Sequence, residues 1–482
     1  MNRPHRIRRQ RWQVTAASAA DAFALRSALR RDSDLTLLPV LERVFAELDD
    51  GERDIHLPRL EIKVRLSAAD RLADELPEQL LAATRLALAE ALDGPPEMRV
   101  APRDASAGAR LRRYLVSGQI DWFDAGQDSA DVAQRLADVA ARWSTAPEAA
   151  WLQLLVDLPA GQRRVDVFFR FLQLLDAGGR AAWADFAARQ AAARGGRVAA
   201  VLAALQRLQA GRPADPALRL QALCLLLVAG ESAGVTRWRS EWRAAVDACA
   251  TQLASLSAAD RESWREVAHL SEAGPGRSSP ASEPPPVATA PVAVDPEKRP
   301  FLPVDRDSVP GLPLSSCGLV LLHPYLPRLF AALGWVAADP PRDEPFPPAC
   351  LPRAAALLHW LATGREAPYE FELGVAKLLL GLAPDDPLPV AAGLLGAAER
   401  EEGGALLAAV VEHWPALGRT SVDGLRLSFL QRAGLLYQAP DGWLLRPQCE
   451  GFDLLLDRLP WGIAIVRLPW MRRPLHVEWM PA

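Results

Sequence analysis

The chain has 482 residues, more than one hydrophobic core usually organises, so its length predicts two or three folded units. Half of the residues are hydrophobic, 24% are charged and the formal net charge is −4, a composition that excludes a disordered or fibrous chain. Apart from an arginine-rich stretch within residues 1–31, the charges are balanced along the chain, so a nucleic-acid partner is not expected.

The first hundred residues predict a compact β-α-α-β-α unit. Alternating apolar positions indicate strands, whereas Ser18 followed by Asp21 is typical of a capped helix start. Pro58 argues for an edge or a kink in the second strand. The predicted elements are a strand over 7–14, a helix from Ser18 to Arg31, a helix from about Thr36, a strand over 55–66 and a helix from Ser67 to Leu92.

The middle of the chain is rich in alanine, and its helical stretches are interrupted every 15 to 20 residues by glycine or proline. Such punctuation favours stacked short helices over one long rod, with clear examples at 165–175 and 198–209. Eleven prolines then fall within residues 275–313, where few large apolar side chains could offset the entropy cost of folding. We interpret this stretch as a semi-extended linker.

The last third of the chain predicts an aromatic-rich domain of helices followed by short strands. Helical spacing of apolar residues covers 318–335, 352–364, 371–382, 399–414 and 421–434. A turn signal at 439–442 then predicts a hairpin, with two further strands at 462–468 and 475–479. The order of helix 421–433 and hairpin is that of a winged helix; its balanced charges favour protein docking over DNA binding.

The fold class is therefore mainly α with small β elements. Its predicted parts are an α+β N-terminal unit (1–100), an Ala-rich helical region (101–274), a Pro-rich linker (275–315) and an aromatic-rich C-terminal domain with a hairpin and short strands (316–482).

Residue spacing gives no indication of metal, cofactor or catalytic chemistry. The five cysteines lie at least 25 residues apart and no histidine lies within four residues of another. Glu370 and Glu372 could mimic a catalytic carboxylate pair, but a spacing of two points them apart on a helix, and acids favour a helix N-terminus. We interpret both as structural, and predict no catalytic residue, no metal and no cofactor.

A membrane location is not expected either. The longest strongly apolar run, residues 222–229, is far shorter than the roughly 20 residues that cross a bilayer. The basic N-terminus is followed by an amphipathic stretch rather than by the apolar core of a signal peptide. The sequence predicts a cytoplasmic protein.

Two segments are candidates for binding protein partners. Trp461, Trp470 and Trp479 lie near prolines that limit sheet formation, and tryptophan is enriched at interaction hot spots. The alternative is that these tryptophans pack within their own domain. The arginine-rich arm, with Arg8, Arg9 and Arg11, is a candidate for a second, salt-sensitive contact.

The ordered motifs at the two ends of the chain resemble the contractile injection system tape measure protein family. The N-terminal motifs, within residues 5–95, are IRRQRWQV, LLPVLERVF and IHLPRLEIKV. The C-terminal motifs, within residues 316–482, are GLVLLHPYLPRLFAALGW, LLHWLATG, ELGVAKLLLGL, SVDGLRLSFLQRAGLL and FDLLLDRLPWGIAIVRLPWM followed by VEW.

This resemblance implies a structural component of a phage-tail-like contractile particle that sets the length of the inner tube, and implies no catalytic residue. Tube, baseplate hub or spike proteins are the expected partners. Two alternatives stay open: an assembly chaperone or adaptor that docks these proteins without measuring length, and, more weakly, an enzyme whose motifs go undetected. As one helix the whole chain would reach roughly 720 Å. The punctuated middle makes a folded chain much shorter.

Overall fold

The computed structural model describes residues 18–32, 37–48, 53–57, 60–65, 72–93, 99–121, 128–146, 164–194, 311–388 and 393–479, together with isolated positions outside these ranges. The chain forms two compact units, Met1–Arg110 and Leu111–Ala482. The predicted fold class, mainly α with small β elements, is confirmed. The four predicted domain boundaries stay predictions, because most of the linker and the end of the helical region lie outside the described residues.

The three helices predicted for the first unit are present, and the predicted starts of the first two are confirmed, whereas the start predicted at Ser67 lies outside the described residues. The helices are α1 (Ala19–Asp32), α2 (Leu38–Leu48) and α3 (Leu72–Asp93). The backbone N–H of Asp21 donates to Ser18 Oγ at 3.1 Å, which satisfies one of the free amides at the start of α1. Pro39 is tolerated because it lies in the first turn of α2. Four leucines of α2, α3 and the residue before α2 form a small core: Leu37, Leu41, Leu76 and Leu80.

The strand prediction for this unit is only partly right. Strand β1 (Arg53–His56) pairs antiparallel with β2 (Arg99–Pro102), an unpredicted strand, so that His56 lies opposite Arg99. Residues 60–65 are not in a strand, since a proline at position 58 has no N–H for a ladder. The apolar pattern still identified Ile62 and Val64, which pack against the leucine core. The strand predicted over 7–14 falls largely outside the described residues.

Helices α4 (Arg103–Ser117), α5 (Ser129–Ser144), α6 (Arg164–Leu174) and α7 (Ala177–Arg194) follow. The helix predicted over 165–175 is thus confirmed, whereas the one over 198–209 lies outside the described residues. Helix α6 is buried along nearly its whole length, and the rings of Phe171 and Trp183 meet edge to face with centroids 5.2 Å apart. Trp183 Nε1 donates to Ser144 Oγ at 2.9 Å. Helices α5, α6 and α7 therefore pack together.

The C-terminal helices are α8 (Leu326–Ala332), α9 (Leu351–Thr363), α10 (Gly374–Leu379), α11 (Ala397–His413) and α12 (Val422–Leu425). The single helix predicted over 318–335 is instead a 3₁₀ turn, Cys317–Leu322, followed by α8. Pro324 accounts for the break, because proline has no backbone N–H to donate to the carbonyl four residues before it. The helix predicted to start near 371 is likewise preceded by a 3₁₀ turn, Glu370–Leu373.

A five-stranded mixed sheet with the order β3-β4-β5-β7-β6 completes the second unit. Its strands are β3 (Leu312–Leu314), β4 (Gly434–Gln438), β5 (Trp443–Pro447), β6 (Ile465–Val466) and β7 (Leu475–Val477). The predicted hairpin is confirmed as β4 and β5, but β4 also pairs with β3, and β5 pairs with β7 in parallel. The hairpin is thus the centre of a sheet rather than a free two-stranded wing.

Candidate functional site: a buried ion cluster

Three charged side chains meet in the interior of the second unit. Arg170 lies in the apolar helix α6, Glu370 begins the 3₁₀ turn before α10, and Lys377 lies within α10. Their exposed fractions are 0%, 3% and 1%. Charged side chains are rarely buried to this extent unless they are paired, so their partners decide whether the site is stable.

Glu370 is the centre of the cluster. Arg170 binds its carboxylate with two parallel bonds, Nε to Oε2 at 2.7 Å and Nη2 to Oε1 at 2.9 Å. Lys377 Nζ donates to Oε1 at 2.8 Å, and the backbone N–H of Leu388 donates to the same oxygen at 3.0 Å. The bidentate geometry of the arginine makes this the strongest class of charge-assisted hydrogen bond.

The two cations also have backbone partners. Arg170 Nη1 donates to the carbonyl oxygens of Leu115 at 2.6 Å and Val116 at 2.9 Å, in the last turn of α4. Carbonyls at a helix C-terminus lack partners within the helix, so the guanidinium satisfies two of them. Lys377 Nζ donates to the carbonyl oxygen of Pro384 at 3.1 Å.

Gly118, directly after α4, leaves room for the ion pair. Its φ is +70°, a conformation that side chains rarely adopt. A Cβ atom at this position would lie 2.8 Å from Glu370 Cδ and 3.2 Å from Arg170 Nη2. Only glycine allows the end of α4 to approach the cluster this closely.

The charges of the cluster stabilise one another. Burial alone would raise the pKa of the Glu370 carboxyl, but Arg170 and Lys377 override this effect and lower the pKa to about 2. Burial likewise lowers the pKa of Arg170, and the charge of Glu370 more than offsets that, so the pKa lies above its ordinary value. Burial, assisted by the Glu370 charge, raises the pKa of the nearby Tyr114 hydroxyl. Glu370 is therefore a carboxylate anion at neutral pH.

Further contacts beside the cluster connect the same parts of the chain. Gln173, one turn after Arg170, donates from Nε2 to the carbonyl oxygens of Pro368 at 3.1 Å and Val390 at 3.2 Å. The rings of Tyr114 and Phe371 meet edge to face with centroids 5.8 Å apart. The site therefore fastens the end of α4 and helix α6 to the segment 368–390 of the C-terminal part.

Glu372 has a different role from Glu370. Its Oε2 accepts the backbone N–H of Tyr369 at 2.8 Å, so it caps the turn that leads into α10, and its Oε1 accepts from Arg365. The expectation that the two carboxylates point apart holds in the structure. The cluster was not predicted from the sequence, although two charged residues inside apolar helices, Arg170 and Lys377, were the available signal.

The structure places two of the three predicted partner-binding tryptophans in the core of the second unit. Trp470 is 3% exposed, lies against Phe330 and Phe346, and donates from Nε1 to the Leu379 carbonyl at 2.7 Å. Trp479 is 2% exposed and belongs to the same hydrophobic core. These two placements differ from the expected position near a sheet edge and agree with the alternative of packing within the domain.

Trp461 is partly exposed. It donates from Nε1 to the Leu321 carbonyl at 3.0 Å, and its ring meets that of Tyr325 edge to face at 5.4 Å. Arg8, Arg9 and Arg11 lie outside the described residues. Partner binding by these residues and by the tryptophans stays a prediction.

His359, in α9, is the most buried histidine that the structure describes. It is 2% exposed, and neither ring nitrogen has a hydrogen-bond partner among the described residues. Burial lowers its pKa to about 4, with a weaker opposing effect from Glu372. The described part of the chain holds no group of three or more His, Cys, Asp or Glu side chains that could bind a metal ion.

In the part of the chain that the structure describes, no helix is both long and apolar enough to cross a membrane. The described residues thus form a mainly helical protein with a small mixed sheet, in which a buried ion cluster fastens the end of α4 and helix α6 to the turn before α10. The family model for the contractile injection system tape measure protein matches residues 4–479, so the chain belongs to that family. Its role is structural, in the assembly of a contractile injection system. No curated protein and no solved structure matches the chain.

Proposed function

We propose that this chain acts in its folded form, as an assembly adaptor that docks tube or baseplate proteins of a contractile particle in the cytoplasm, without catalysis. The observation that carries the proposal is the buried cluster of Arg170, Glu370 and Lys377. Its ion pairs fasten the helices within residues 111–194 to residues 311–479. An adaptor needs a fixed shape, and a bidentate ion pair fixes the register of α6 against its neighbour.

The packing of the helices also supports a folded rather than an extended form. Helix α6 has 11 residues and α7 has 18, with two residues between them, and their aromatic rings meet. In such an arrangement an additional helix adds bulk instead of length. A ruler, by contrast, needs a dimension that grows with the number of residues.

The test is to change the length of the chain and to measure particles by electron microscopy. A helical insertion of 40 residues within 195–273 leaves Arg170 and Glu370 in place. An extended ruler would lengthen the tube by about 60 Å, at 1.5 Å per helical residue. We expect an unchanged tube length, with normal particle yield. The matched control is an insertion of equal length within residues 275–310, and a tube that lengthens with either insertion contradicts the adaptor.

We further propose that Trp461 contributes to the docking surface, with Trp470 and Trp479 supporting it from the core, and that Arg8, Arg9 and Arg11 form the salt-sensitive second contact. The partial exposure of Trp461 and its position beside Tyr325 support the first part.

A further inference from the structure

We propose that the contact between Arg170 and Glu370 is a latch, at which the helical middle can part from the C-terminal part while both remain folded. Here the helical middle means residues 111–194, and the C-terminal part means residues 311–479. The inference deepens the proposed function by naming how its folded form is regulated, and rests on that function only for its use in the particle.

Each of the two charges keeps partners of its own when the two parts separate. Glu370 retains Lys377 Nζ and the Leu388 N–H, both of which belong to the C-terminal part. Arg170 retains the carbonyls of Leu115 and Val116, which belong to the helical middle. A buried charge that loses its only partner is strongly destabilising, but Arg170 and Glu370 each still have partners after the two parts separate.

The two parts have separate hydrophobic cores. The main hydrophobic core of the second unit is built from residues between Leu314 and Trp479, all in the C-terminal part. The helical middle has its own aromatic contacts, in which Trp183 meets Phe171 at 5.2 Å and Phe186 at 5.7 Å. Each part therefore has its own means of staying folded after the latch opens.

Many of the contacts across the boundary are polar, although the rings of Tyr114 and Phe371 also meet there, with centroids 5.8 Å apart. Besides the ion pair, Gln173 donates to two carbonyls of the C-terminal part. Polar groups exchange their protein partners for water on opening, so such contacts contribute less net stability than apolar packing of similar size. They do impose geometry, which suits a contact that must re-form in one register.

The experiment is hydrogen exchange by mass spectrometry on the full chain carrying Arg170→Ala. We expect amides of α6 and of residues 368–373 to exchange roughly tenfold faster or more, because local opening no longer breaks the ion pair. Helices α9 and α11 and the hairpin β4–β5 should keep their protection. The matched control is Arg467→Ala, which removes an ion pair with Asp343 in which both side chains are 55% exposed. It should change none of these rates.

A second variant guards against simple misfolding. Arg170→Lys keeps the charge but loses the second parallel bond, so the same peptides should respond to a smaller extent. Faster exchange throughout the C-terminal part in both variants would overturn the latch, because the cluster would then be integral to that core. Unchanged exchange at α6 in Arg170→Ala would also overturn it.

Discussion

Removing the charge of Glu370 is the most direct perturbation of the second unit. Glu370→Gln keeps the shape of the side chain but removes the negative charge that binds both Arg170 and Lys377 in the interior. Breaking a buried ion pair in this way costs about 3–5 kcal/mol. The pKa gives a similar figure, since lowering it from 4.5 to about 2 corresponds to about 3 kcal/mol of stabilisation.

The assay is urea unfolding followed by tryptophan fluorescence. Every tryptophan except Trp12 lies beyond Arg110, so the signal reports mainly on the second unit. Glu372→Gln is the matched control, because this neighbouring carboxylate is also buried but its partner Arg365 is half exposed. We expect Glu372→Gln to lower the free energy of unfolding by at most about 1 kcal/mol.

The pH dependence adds a second criterion. Because the folded-state pKa of Glu370 lies below its unfolded value, its stabilisation is fully present above pH 4.5 and is lost as the pH falls towards 2. The difference between the wild-type chain and Glu370→Gln should narrow over that range. The role of the cluster would be refuted if Glu370→Gln lost less free energy of unfolding at pH 7 than Glu372→Gln does. It would also be refuted if the difference in stability between the wild-type chain and Glu370→Gln did not change with pH.

Two further predictions concern other residues. Because the pKa of His359 is lower in the folded chain, the unfolded chain binds the proton more readily. The contribution of the neutral ring to stability is therefore full above pH 6.5 and declines towards pH 4. When the pH falls from 6.5 to 4, the free energy of unfolding of His359→Leu, measured with urea, should therefore decrease by about 3 kcal/mol less than that of the wild-type chain. An equal decrease in both chains would contradict a neutral buried ring. Trp461→Ala should reduce copurification of particle proteins while the chain stays folded, whereas Trp470→Ala should cost about 3–5 kcal/mol of stability. Full copurification by a folded Trp461→Ala variant would remove this residue from the docking surface.

Local features of the fold were predictable from the sequence because they depend on neighbours in the chain. Ser18 and Ser421 cap helices at the predicted positions through bonds that span three residues. The hairpin at 439–442 follows from turn chemistry, with the Ala439 N–H donating to the Gly442 carbonyl at 3.0 Å. Where two local rules conflict, as at Pro324 within an apolar stretch, the missing N–H of the proline prevailed over the apolar periodicity.

Contacts between distant segments were not predictable in the same way. Arg170 and Glu370 are separated by 200 residues, and no local pattern specifies which carboxylate a buried arginine will meet. Lys377 offered a hint, as one of only three lysines in the chain and within an apolar helix. The prolines near Trp470 suggested an exposed edge, whereas Trp470 lies in the turn Leu468–Met471 and its ring packs in the core against Phe330.

A chain can set a length only through a dimension that grows with its residue number. In the second unit, 16 residues of α5 and 18 of α7 would span about 24 and 27 Å as separate helices. Trp183 brings these helices together instead, since it donates to Ser144 and meets Phe171. Arg170 then fixes this layer to Glu370. Because the latch leaves both parts folded when it opens, opening it gives the chain no dimension that grows with its residue number, which favours docking over length control.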